Sequence, residues 1–71
     1  MDQHLQVNND VLDSLKSTLG LSTDKELAER IGVSQNGLSL IRQGTFPGKR
    51  FQTWAYRTFG EVPGLYYIPR H

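Results

Sequence analysis

The chain has 71 residues, room for one small domain whose core must come from a few well-placed side chains. It has no cysteine, no apolar run long enough to span a membrane and a polar start unlike a signal peptide. Disulfides, thiolate metal sites and membrane insertion are therefore excluded, and a cytoplasmic, nucleoid-associated place is expected.

The net charge of +1 conceals an asymmetry. Residues 1–34 carry a net −3 and residues 35–71 a net +4, with no acid between Gln35 and Gly60. That half could offer a basic face to a polyanion.

In chain order, residues 1–9 lack periodicity and are expected as a flexible arm. Leu12, Leu15 and Leu19 then form one apolar stripe of a first helix. Asn9 or Asp10 supplies its cap, and Gly20 ends it in a left-handed conformation. Thr23 and Glu26 make a capping box that opens a second helix, with Leu27, Ala28 and Ile31 on its inner face and Gly32 as its stop. Ser34 caps a third helix running to about Gln43, with Leu38 and Ile41 inward and Gly44 at its end. Pro47 opens a fourth, in which Phe51, Trp54, Ala55 and Phe59 recur at helical steps up to Gly60. In the tail, 61–71, the run Leu65-Tyr66-Tyr67-Ile68 fits one helical turn or a short strand, which periodicity cannot separate at this length.

Two short helices joined by Gly32-Val33-Ser34 have the outline of a helix-turn-helix. Ala28 is small where the third helix must cross the second closely. Gly32 tolerates the sharp turn. Leu27, Ile31, Val33, Leu38 and Ile41 fill the angle between the two helices. A plain helical hairpin does not require this joint spacing.

The run from Leu27 to Gly44 resembles the helix-turn-helix of the lambda-repressor-like family, which includes phage repressors and Cro proteins. The order Gln35-Asn36-Gly37, an apolar residue next, and the closing Gly44 carry the resemblance. So do Phe46-Pro47-Gly48 and the aromatic helix after them, and the likeness covers about residues 10–60. It implies an all-α, compact domain of four to five helices with the helix-turn-helix at helices 2 and 3. It also implies a sequence-specific regulator of transcription on double-stranded DNA, of phage repressor or Cro type.

With Leu38 and Ile41 inward, Gln35, Asn36, Ser39 and Gln43 are left on or near the outer face of the third helix as base readers. A helix entering the major groove by its N-terminus brings its first residues to the base edges. The amides of Gln35 and Asn36 can each bond adenine at N6 and N7. The resemblance also makes Gln35 a base reader. Leu40 fits either a thymine methyl or partial burial. Gly37 fits either close approach to DNA or simple tolerance near a helix start. Phosphate contacts are expected from Thr23, Lys25, Ser34, Arg42, Lys49 and Arg50, with Arg57 a weaker candidate.

Two departures from the family stand out. The arm has no Lys or Arg among Met1-Asp2-Gln3-His4-Leu5, so it is not expected to wrap the duplex. Asp24 opens the second helix where lambda repressor, the family's namesake, has an uncharged amide that assists at a phosphate.

Such domains usually bind a palindromic operator as dimers. Leu65, Tyr66, Tyr67 and Ile68 are the expected homodimer contact; the other reading folds the tail back on its own core. Rival functions are an excisionase, an antitoxin-type autoregulator, or a protein-interaction module without DNA. No enzyme, metal, cofactor or small-molecule site is expected. His4 and His71 read as solvated terminal residues, and Gly44–Arg50 lacks the glycine spacing and the Ser or Thr of a P-loop.

Overall fold

A computed structural model describes residues 4–69. The first helix, α1 (Asn9–Thr18), starts one residue earlier than expected, because Asn8 is the cap and its Oδ1 accepts from the Asp10 amide at 3.0 Å. It closes as the sequence implies. Gly20 takes φ 73°, its N–H reaches Ser17 O, and the Leu21 N–H reaches Lys16 O, so two otherwise orphaned carbonyls are satisfied. The capping box opens α2 (Asp24–Ile31), where Glu26 Oε1 accepts from the amides of Ser22 and Thr23, both at 3.1 Å. Gly32 stops the helix at φ 89°.

Ser34 caps α3 (Gln35–Arg42), accepting from the Gly37 amide at 2.9 Å. A Cβ at Gly37 would stand 3.1 Å from Ser34 Oγ, a close contact that a small shift of the hydroxyl would relieve. The long α4 (Gly48–Phe59) follows Pro47 and ends at Gly60.

The core joins α1 through Leu12 and Leu15, α2 through Leu27, Ala28 and Ile31, α3 through Leu38 and Ile41, and α4 through Phe51 and Ala55. Phe51 lies at its centre, fully enclosed, with the rings of Trp54 and Tyr66 at centroid distances of 5.7 and 6.2 Å.

The start of the chain differs from expectation, and the tail takes the strand of its two readings. Gln6–Val7 and Tyr66–Tyr67 are two short strands, β1 and β2, paired antiparallel with Val7 opposite Tyr66. The Asn8 amide extends the pairing to Leu65 O at 2.7 Å. The arm is therefore not loose where it is described, since Val7 belongs to the core, and one core runs from Val7 to Leu65 across the expected boundaries at 9 and 61. The tail forms a strand folded back on its own domain, and among the described residues there is no fifth helix. Met1–Gln3, Arg70 and His71 lie outside the described residues. No described helix is long and apolar enough to cross a membrane.

Candidate nucleic-acid interface

The interface is built on α3. Leu38 and Ile41 turn into the core, which leaves Gln35, Asn36 and Ser39 exposed on the opposite side. Gln35, Ser39 and Gln43 follow one another at four-residue steps along that side. Gln43 is the residue that ends the helix, and its Nε2 donates to Ser39 Oγ at 3.2 Å. It thus orients the Ser39 hydroxyl. Leu40 is 44% exposed on the same helix.

The four helix starts differ in charge. Asp10 sits in the first turn of α1, and Asp24 and Glu26 in that of α2, whereas the first turns of α3 and α4 hold no acid. An acid-free start leaves backbone N–H groups and the positive end of the helix dipole open to a phosphate. The two open starts are neighbours. Arg50, from the first turn of α4, donates from Nη1 to Gly32 O at 3.1 Å, in the turn that leads into α3. Lys49 and Arg50 are both exposed there. Ser34 accepts through Oγ from Gly37, so its own hydroxyl hydrogen is still able to donate outward.

Two expected phosphate ligands are otherwise occupied. The Thr23 hydroxyl is used within the capping box, accepting from the Glu26 amide and donating to Glu26 Oε1, both at 3.2 Å. An ionised carboxylate beside it would also repel a phosphate. Arg42 is committed more fully. Its Nη2 donates to Asp13 Oδ1 at 2.8 Å and Asp24 Oδ1 at 3.0 Å, and its Nη1 to Asn9 Oδ1 at 3.2 Å. Its Nε lies 2.8 Å from Asp24 Oδ2, an ion-pair contact too oblique to be a hydrogen bond. The Arg42 side chain is only 18% exposed. Its charge is neutralised inside the domain instead of facing outward. Lys25 remains exposed, and no described residue pairs with it.

Asp24 therefore has a structural reason for standing at the start of α2. It joins Arg42 of α3 to Lys16 of α1, whose Nζ donates to Asp24 Oδ1 at 3.1 Å. Sequence reasoning missed Asn9, Asp13 and Lys16 as partners in this cluster. The one signal for it was Asp24 itself, an acid where lambda repressor has an uncharged amide. His4 was also missed. It is half-buried rather than solvated, with its ring nitrogen Nε2 donating to Gly44 O at 2.8 Å beside Phe46.

The cluster makes stability sensitive to acid. Partial burial opposes ionisation of Asp24, but hydrogen bonds from Lys16 and Arg42 and their charges outweigh it and hold its carboxyl below the ordinary range. Glu26 is lowered too, first by the Ser22 amide and then by the Thr23 hydroxyl. A carboxyl that is lowered on folding stabilises the fold while ionised, and that stability is lost as pH falls through the lowered value. The thermal midpoint is expected to be flat from about pH 7 to pH 5 and to drop below about pH 4. The drop should be shallower in Asp24→Asn. A midpoint unchanged by acid would contradict this account of the cluster.

A profile of the bacteriophage CI repressor helix-turn-helix domain matches residues 10–62, which take in α1 from Asp10 onward and the whole of α2, α3 and α4. The chain belongs to that family. Searches of curated proteins and of solved structures gave no significant match. As a member of the CI repressor helix-turn-helix family, the chain is a DNA-binding regulator with an all-α, lambda-repressor-like domain. The family match reaches Val62 and so stops short of β2.

Proposed function

We propose that this domain represses transcription by setting α3 in the major groove of an operator. The observation that carries the reading is the division of α3 itself. Its apolar side, Leu38 and Ile41, is locked in the core, and its other side offers Gln35, Asn36 and Ser39 from an acid-free helix start. Gln35 and Asn36 read base edges through their amides, and Ser39, oriented by Gln43, bonds a base edge or a phosphate one turn further on. Lys49, Arg50, Ser34 and Lys25 hold the backbone.

The operator is palindromic and the protein binds it as a homodimer. Of the four apolar residues of the tail, Leu65 is buried and Tyr66 is half-buried against Phe51. Tyr67 and Ile68 are 45% and 54% exposed, and they are the contact with a second copy. Sedimentation of the protein against an Ile68→Asp variant reads this contact. An unchanged mass would remove Ile68 from it.

Binding to duplex DNA at graded salt tests the reading as a whole. Three backbone-holding cations per copy correspond to a log–log slope of roughly −3 for each bound protomer, at about −0.9 per neutralised phosphate. Absence of binding at low salt would instead favour a protein-interaction module of the same fold.

A further inference from the structure

The C-terminal end of α3 is gripped by the N-terminal part of the chain. Asn9 Nδ2 donates to the main-chain oxygen of Arg42 at 3.0 Å, while the Arg42 guanidinium reaches Asn9, Asp13 and Asp24. One residue past the end of the helix, His4 bonds Gly44 O, and the Gln6 amide packs so closely on Gly44 that a Cβ there would meet it at 3.2 Å. All these contacts fall at or just beyond the last turn of α3. Gln35 and Asn36 stand at the other end, about 12 Å away along the axis. The helix is thus a lever. A tilt of about 10° about the buried Leu38–Ile41 side moves Gln35 by roughly 1 Å, beyond the narrow distance range of a hydrogen bond.

We infer that Arg42 is a positioning residue, which through Asp13, Asp24 and Asn9 fixes the angle of the recognition helix and so the reach of Gln35 and Asn36. This rests on the reading of α3 as the base-reading helix. It differs from a phosphate contact in a way that can be measured. A phosphate-binding arginine would be freed for DNA by loss of its acidic partners, whereas a positioning arginine would lose its anchor.

Asp24→Asn separates the two, because it keeps the side chain's shape and removes a negative charge. The assay is fluorescence anisotropy on a site selected from a random pool and on random duplex. It is run at several salt concentrations, below the melting range of every variant as read by circular dichroism. Asp24→Asn is expected to weaken binding to the selected site about tenfold, the equivalent of one bidentate base contact. Its binding to random duplex should hold or rise. Arg42→Gln should show the same selective loss with the salt slope unchanged. Arg42→Lys should stay weak, since an ammonium cannot bridge two carboxylates as a guanidinium does.

Tighter binding of Asp24→Asn to both DNAs would overturn the inference. So would a slope in Arg42→Gln that falls by about one, or full recovery in Arg42→Lys. If the unaltered protein recovers no selected site at all, the operator-binding reading fails first, and this inference with it.

Discussion

Phe51→Ala is expected to leave the domain mostly unfolded at physiological temperature. Phe51 is fully enclosed where α4 meets the rest of the core, and its ring packs on both Trp54 and Tyr66. Removing a buried phenylalanine costs about 3–5 kcal/mol, part of it lost transfer energy and part the cavity that stays behind. The whole stability of so small a domain is on the order of 5 kcal/mol, so little would remain. The loss also reaches the ends of the chain, because Tyr66 brings β2, and β2 brings β1. Urea unfolding followed by circular dichroism reads the effect. Tyr56→Ala is the control on the same helix, since Tyr56 is 68% exposed and should shift stability by no more than about 0.5 kcal/mol. Similar midpoints for the two variants would contradict the placing of Phe51 at the centre of the core.

Gln35→Ala is expected to weaken binding to the operator roughly 10- to 100-fold and binding to random duplex hardly at all. One good bidentate contact is worth about 1–3 kcal/mol of discrimination. Gln35 carries no charge, so its loss leaves counterion release unchanged. It is exposed, so stability should hold. Anisotropy titrations on both DNAs give the comparison. Equal losses on the two would remove Gln35 from the base readers.

The centre of the fold was legible because its determinants are local. The capping box at Thr23 and Glu26, the left-handed turn at Gly32 and the Leu38–Ile41 spacing each act within a few residues, and each is found as expected. The exposed side of α3 follows from the same spacing. The pairing of β1 with β2 was not legible. Each strand has two residues, too few for any period, and their partners lie about sixty positions apart.

Arg42 escaped for a related reason. A cation in an acid-free stretch reads as free until the fold brings Asp13 and Asp24 to it from α1 and α2. The charge asymmetry between the halves is thus partly cancelled inside the domain. Lys49, Arg50 and Arg57 remain as the exposed cations of α4.

Selection of bound sites from a random DNA pool, run in parallel for the unaltered protein and Gln35→Ala, tests the central claim most directly. The account predicts a palindromic site for the first, and for the second the same site with preference relaxed at one base pair in each half. A pool that yields no preferred sequence, or the same sequence with undiminished preference for both proteins, would contradict the assignment of α3 as the helix that reads DNA.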